Sequence, residues 1–226
     1  MVSANEQALC VFKSIDATGL SLATGEKLNH LIDLEILNNR YFVMRHGHSL
    51  ANQQGIIVSD PENGCEQYGL SELGRIQVEQ NMRADQLLGK TTIIISSDFK
   101  RARESADIAY SVLSCDTPVC LESRLRERYF GEFELSADSG YSEIWLQDAA
   151  DPEGGFKGVE SVNQVMARVS SVVTELEDQY TDETILLVSH GDALQILQTA
   201  FSRQDASSHR QLEHLQTAEI RQLILV

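Results

Sequence analysis

A chain of 226 residues is long enough for one sizeable α/β domain with a buried core and too short for two domains of average size. Its 34 acidic and 18 basic side chains give a net charge of −16, which opposes binding to nucleic acid or an anionic membrane and points to a soluble, cytoplasmic protein. The four cysteines, Cys10, Cys65, Cys115 and Cys120, lack C-x-x-C zinc spacing and read as reduced thiols, and no apolar stretch approaches the ~20 residues that span a bilayer.

Residues 1–38 are mixed in character, with Gly19 and Gly25 punctuating short apolar alternations, and read as an N-terminal extension made of a hairpin and an arm. The remainder, 39–226, reads as the catalytic domain. The apolar run Tyr41-Phe42-Val43-Met44 predicts a strand that delivers Arg45-His46-Gly47 at its carboxyl end, where an open α/β sheet places its chemistry. A loop rich in turn formers follows, with Gly55, Ser59, Asp60, Pro61, Asn63 and Gly64. Ser71 then has the side chain of a helix N-cap, opening a helix expected to run to Gly89. Thr91 to Ser96, with three consecutive isoleucines, is a buried strand by composition, followed by a helix over 101–113 and a short strand at Val119 to Leu121.

A short helix is expected around Trp145 over 140–150, and the glycines at 154, 155 and 158 mark a loop before the longest helix, about 160–178. There Val162, Val165, Val169, Val172 and Leu176 recur at spacings of three and four, one apolar face for packing on a sheet. Ser161 or Glu160 is placed to cap this helix, and Arg168 to pair with a carboxylate rather than touch a ligand. The run Ile185 to Val188 repeats the strand grammar and ends in Ser189-His190-Gly191; a helix over 192–202 and a last edge strand, Ile220 to Val226, complete the chain. The alternation predicts a three-layer α/β/α fold around a mostly parallel sheet.

Two histidines at two strand ends, with arginines and a carboxylate nearby in the sequence order, supply an imidazole nucleophile, a cationic clamp and an acid, the parts that phosphoryl transfer requires. At these residues the chain resembles the histidine phosphatase superfamily, its phosphoglycerate-mutase-like branch. The R-H-G-x-x-x-x-N signature stands as Arg45-His46-Gly47 through Asn52, and S-x-x-x-R-A-x-x-[ST]-A as Ser97 through Ala106, with Arg101 at its centre. L-x-E-x-x-x-G stands as Leu125-Arg126-Glu127 through Gly131, and the last signature is Ser189-His190-Gly191.

The resemblance implies the three-layer fold just described and a metal-independent phosphomonoesterase without cofactor, acting on a small phosphorylated molecule. His46 would be the nucleophile, forming a phosphohistidine, with its other ring nitrogen held by the Gly47 carbonyl. Arg45, Arg101, His190, Asn52 and Gly191 would bind the phosphoryl oxygens, with Arg45 and His190 also counted as catalytic, and Glu127 would serve as general acid and then base. A surface ion pair with Arg126 or Arg128 is the competing reading of Glu127.

Three departures stand out. His48 occupies a position where the family commonly carries Glu or Gln and is read as directed to solvent; Leu135 follows Glu134 where a glycine is usual, which predicts an altered loop. The stretch 53–70 contains no tryptophan and the segment from Glu127 to Gly158 is short, which favours hydrolysis over the transfer carried out by mutases. The acidic residues of these two segments, among them Asp60, Glu134, Glu143 and Asp148, would disfavour a bisphosphate if they faced the pocket. The alternatives are a phosphoglycerate-type mutase, a silent binder of phosphorylated ligands, and a metal-dependent hydrolase using His46, His48, His190 and Asp192. A homodimer is compatible with all of them.

Overall fold

The computed structural model describes residues 27–226. Its five strands are β1 (Arg40–Arg45), β2 (Ile93–Ser96), β3 (Cys120–Leu121), β4 (Thr184–Ser189) and β5 (Ile220–Leu223), in the order β3-β2-β4-β1-β5. The first four run parallel, and β5 pairs antiparallel with β1 at one edge. The helices are α1 (Leu50–Gln54), α2 (Pro61–Gly64), α3 (Glu72–Ala84), α4 (Lys100–Leu113), α5 (Tyr141–Ala150), α6 (Val162–Gln179) and α7 (Gly191–Phe201).

Strand alternation divides the interior into two layers. Tyr41, Val43, Ile95, Ile185 and Leu187 point to one face and pack with Val162, Val165, Val169 and Leu176 of α6 and Leu194 and Leu197 of α7. Phe42, Met44, Ile94, Leu186 and Val188 point to the other, against Val78 and Met82 of α3 and Ala102, Ala106 and Ala109 of α4. With both faces covered, the strands read as continuous apolar runs, which is why their sequences lack polar alternation. A smaller cluster of Ile57, Phe130, Phe133, Ile144 and Val159 seats α5 over one end of the sheet.

Two helix starts are capped as expected: Ser71 accepts from the Gly74 N–H, and Ser161 forms a full capping box with Gln164. Helix α3 ends at Ala84 rather than Gly89. Asp85 leaves the helix in an extended conformation, and its carboxylate accepts from the Leu87 and Leu88 N–H groups, an alternative that competes with another helical turn. The expected hairpin around Leu20-Ser21-Leu22 lies outside the described residues. From Lys27 onward the chain folds back on the α6 and α7 layer, where Leu31 is fully buried and Asn29 donates to the Ala200 carbonyl. The reduced-thiol reading holds for Cys65 and Cys115, which are free, but not for Cys120, which is disulfide-bonded.

Register brings the chemistry together. Arg45 lies opposite Ser189 and Ser96 opposite Val188, and the pairing continues past the strands through His46 N–H to the Ser189 carbonyl and Ser97 N–H to the Val188 carbonyl. Three adjacent parallel strands therefore end side by side, each releasing one site segment at its carboxyl end.

Candidate active site

His46 is buried where β1 ends, with its Nδ1 2.8 Å from the carbonyl oxygen of Gly47. That oxygen can only accept, so the hydrogen bonding assigns the proton to Nδ1 and leaves Nε2 with a lone pair. Arg101 Nε donates to Nε2 at 3.1 Å. Burial, followed by the charges of Arg101 and Arg45, holds the imidazole well below its ordinary range, so it is neutral near pH 7. The backbone here is fixed from two sides. Gly47 N–H donates to Ser105 Oγ, which in turn donates to the Arg101 carbonyl, and a Cβ on Gly47 would come within 2.5 Å of the Gly74 carbonyl oxygen in α3.

His190 occupies the position just before α7 and packs edge-on against His46, with ring centroids 5.1 Å apart. Its Nε2 lies 2.9 Å from Ser97 Oγ, which already accepts from the Phe99 N–H. Among the described residues His190 Nε2 is the one acceptor that the Ser97 hydroxyl proton meets, which leaves the ring proton on Nδ1. Arg101 enters from the first turn of α4, its Nη2 spent on the Val58 carbonyl, while Arg45 spends Nη1 on His214 Nε2 and the Leu215 carbonyl.

Buried side-chain nitrogens without a hydrogen-bond partner are few among the described residues: Arg45 Nε, Arg101 Nη1, His190 Nδ1 and a more distant atom, His209 Nε2, which is a bare acceptor because its ring proton lies on Nδ1 against the Ala206 carbonyl. Three of the four belong to the residues around His46. Unmet buried N–H groups are costly, of order 1–3 kcal/mol each, and their convergence marks a place built for an anion with several acceptor oxygens.

Glu127 follows the turn Ser123–Leu125 and is neither free on the surface nor paired with its arginine neighbours. Arg126 is committed to Asp98 and Arg128 makes a bidentate buried pair with Asp148. The Glu127 carboxylate instead accepts from the N–H groups of Arg128 and Ala193, the latter in the first turn of α7. Its carboxyl is raised above the ordinary range, first by burial and then by the negative charge of Asp192, against a lowering by Arg101 and the two backbone bonds. Arg168 pairs with Glu160, as its sequence position suggests, and also clamps the carbonyls of Arg124, Arg126 and Glu127.

Asn52 is exposed, and its carboxamide oxygen accepts from the Ser49 N–H and hydroxyl in the capping box of α1, leaving its Nδ2 as the group free to meet a ligand. Gly191 begins α7 close to Arg45: a Cβ there would lie 3.7 Å from Arg45 Cζ. His48 is not directed to solvent. It is half-buried, with Nδ1 2.8 Å from the Ser71 hydroxyl, and it ties the segment after the nucleophile to α3. Leu135 takes the left-handed conformation, φ 59°, that a glycine would adopt without strain, so the loop keeps a glycine-type backbone in place of the altered one expected.

The acidic residues of the flanking segments are largely committed elsewhere. Glu134 holds Ser59 and Asn63, Glu143 pairs with Lys157, Asp148 with Arg128, and Asp60 caps α2. The four residues considered as metal ligands do not converge. His46 Nε2 already accepts from Arg101, His48 turns to Ser71, His190 Nε2 faces Ser97, and Asp192 accepts from Trp145 Nε1 beside Arg128 and Arg210. Two guanidinium groups at the centre oppose a bound cation further. The sequence reading missed His214, which contacts Arg45 across 169 residues without any motif to mark it.

The profile of the histidine phosphatase superfamily (branch 1) matches residues 41–225. A protein of Cronobacter sakazakii named "Probable phosphoglycerate mutase GpmB" is 31% identical over 176 residues, 76% of this chain and 78% of its own. Among solved structures, a mycobacterial glucosyl-3-phosphoglycerate phosphatase superposes with a TM-score of 0.65 at 25% identity, covering 81% of this chain and 88% of its own. An alpha-ribazole phosphatase from Shigella flexneri shares the fold, with a TM-score of 0.63 at 23% identity over 81% of this chain and 89% of its own.

Proposed function

The chain belongs to the histidine phosphatase superfamily, and on that premise we propose that it is a metal-independent phosphomonoesterase acting on a small phosphate ester, with His46 as nucleophile and Glu127 as general acid and base. The observation that carries this reading is the set of unmet buried donors, Arg45 Nε, Arg101 Nη1 and His190 Nδ1, gathered around a neutral imidazole whose lone-pair nitrogen is fixed by its backbone bond.

An incoming phosphoryl group competes with His46 Nε2 for the Arg101 N–H groups, which frees the lone pair for in-line attack on phosphorus. The P–N bond forms as the P–O bond to the leaving group breaks. Arg45, Arg101 and His190 meet the non-bridging oxygens, where charge is carried in the transition state, and Asn52 adds its amide from the rim. The upward shift of the Glu127 carboxyl favours the protonated form that a general acid needs for the departing alkoxide; as a carboxylate it then takes a proton from the water that cleaves the phosphohistidine. Removing one such donor typically lowers turnover by about 10² to 10³.

A mutase is the second reading, favoured by the name of the Cronobacter relative. Against it, the single tryptophan of the chain, Trp145, lies on α5 rather than in the loop after the nucleophile. The test is phosphate release from an aryl phosphate with chelator present, for the wild type and His46→Ala. Chelator-resistant turnover lost in His46→Ala supports the hydrolase. Phosphate moved to a second hydroxyl without net release supports the mutase, and loss of activity to chelator removes both.

A further inference from the structure

Arg45 is held from behind by a contact that the reaction described above does not use. Its Nη1 lies 2.9 Å from His214 Nε2 and 2.9 Å from the Leu215 carbonyl oxygen. A guanidinium nitrogen has no lone pair to offer, so the imidazole must accept, with Nε2 bare and the proton on Nδ1. Nδ1 in turn faces Gln195 Oε1 at 3.3 Å. Gln195 is fixed by its own bonds, Nε2 donating to the Leu212 carbonyl and Oε1 accepting from Arg210. Gly191 closes the other side, since a Cβ there would come 3.2 Å from His214 Cε1. With Nη1 spent twice, the guanidinium has its Nε edge left for a ligand, and Nε is one of the unmet buried donors. That edge carries two parallel N–H groups, matched to two oxygens of a phosphoryl group.

We propose that His214 is a positioning residue for phosphoryl binding: as a neutral acceptor it fixes the rotation of the Arg45 guanidinium, so that the Nε edge meets two oxygens of the substrate. The proposal rests on the reading of Arg45 as a phosphate ligand. It makes the site acid-sensitive in a defined way. The groups facing His214 are Arg45 from β1, Asp192 and Gln195 from α7, Arg210 from the turn Ala206–Gln211, and Glu219 just before β5. Burial and the two arginines pull the imidazole down to about 4, against the opposing pull of Asp192 and Glu219. The two carboxylates have partners of their own, Asp192 among Trp145, Arg128 and Arg210, and Glu219 with Arg221. Above pH 4 the ring accepts from Arg45. A proton on Nε2 below it sets N–H against N–H and two cations in contact, and the Arg45 fork loses its anchor.

The test compares the wild type with His214→Phe, which keeps ring volume without an acceptor, and His214→Asn, which keeps an acceptor that does not titrate. Inorganic phosphate is the probe, its affinity read by calorimetry from pH 4 to 8 beside kcat/KM on an aryl phosphate and the melting temperature. Phosphate binding and kcat/KM should fall on the order of 10-fold or more in His214→Phe, as expected for a misoriented clamp, and recover in His214→Asn. Wild-type affinity should weaken as the pH approaches 4, and that weakening should be absent in His214→Asn. His214→Phe with wild-type phosphate affinity, or the same acid weakening in the wild type and His214→Asn, overturns the proposal. The second comparison holds even if His214→Phe fails to fold. Turnover that is insensitive to His214 sinks this inference and leaves the phosphatase reading standing. His214-dependent phosphate binding without any turnover does the reverse.

Discussion

Gly47→Ala probes the closest approach in the site. The added Cβ would lie 2.5 Å from the Gly74 carbonyl oxygen and 2.8 Å from Val78 Cγ2, where ordinary contact begins near 3.4 Å, so the two segments must part by about 0.9 Å. Neither neighbour yields easily. The carbonyl belongs to the backbone of α3, and a helical valine is confined to one χ1 rotamer. Movement of α3 is resisted in turn, because Gly74 itself faces the His48 carbonyl so tightly that a Cβ there would come within 2.0 Å. Overpacking of this kind costs about 1–3 kcal/mol. At roughly 2–4 °C per kcal/mol for a domain of this size, the melting temperature should fall by about 2–12 °C. The same shift displaces the Gly47 carbonyl that fixes the His46 proton, and a misplacement of ~1 Å is worth about 10² in rate. Calorimetry and kcat/KM on an aryl phosphate read both effects, with Gly89→Ala as the control, since a Cβ at Gly89 meets nothing within 4 Å. A Gly47→Ala protein that melts and turns over like the wild type, or a Gly89→Ala protein that loses as much, refutes the reasoning.

Glu127→Gln removes the transferable proton and should lower turnover of an alkyl phosphate by about 10² to 10⁴, with a smaller effect on bond cleavage when the leaving group is an acidic phenol; equal losses for both substrates would argue against a general acid. Asp192→Asn deletes the charge that, after burial, raises the Glu127 carboxyl. The folded-state value then falls, and the alkaline limb of kcat/KM, where the acid loses its proton, should move to lower pH; a limb that stays or rises contradicts the assignment. Asp148→Asn leaves the Arg128 guanidinium, 1% exposed, without its bidentate partner. Breaking a buried pair from one side costs about 3–5 kcal/mol, so chemical denaturation should show a loss of that size, and a change under 1 kcal/mol would show that Asp192, 3.5 Å away, already suffices.

Much of this architecture is legible in local pattern. The apolar runs at β1, β2 and β4, the caps at Ser71 and Ser161, and the valine stripe of α6 each encode their element through interactions within a few residues. Helix α3 is a partial exception, since the Asp85 side chain ends it before the glycine that looked like its stop. Arg45, His46, Ser97, Arg101, Glu127 and His190 are marked by motifs that the chain carries in order, and the sequence by itself was enough to put them forward as candidates for one site.

What those side chains do there was decided by contacts between distant segments. Glu127, the candidate acid, keeps a competing reading as half of a surface ion pair until Asp98 and Asp148 draw its arginine neighbours away, and its raised carboxyl depends on Asp192 and α7 arriving from 65 residues downstream. His48 turns inward because α3 presents Ser71 to it. His214 reaches Arg45 only because β5 pairs antiparallel with β1 at the sheet edge and brings the preceding segment over the strand end. Backbone conformation follows from short-range sterics and hydrogen bonds that one segment contains. The protonation, orientation and availability of a polar side chain depend on which charges and acceptors surround it, and those neighbours exist only once the sheet has assembled.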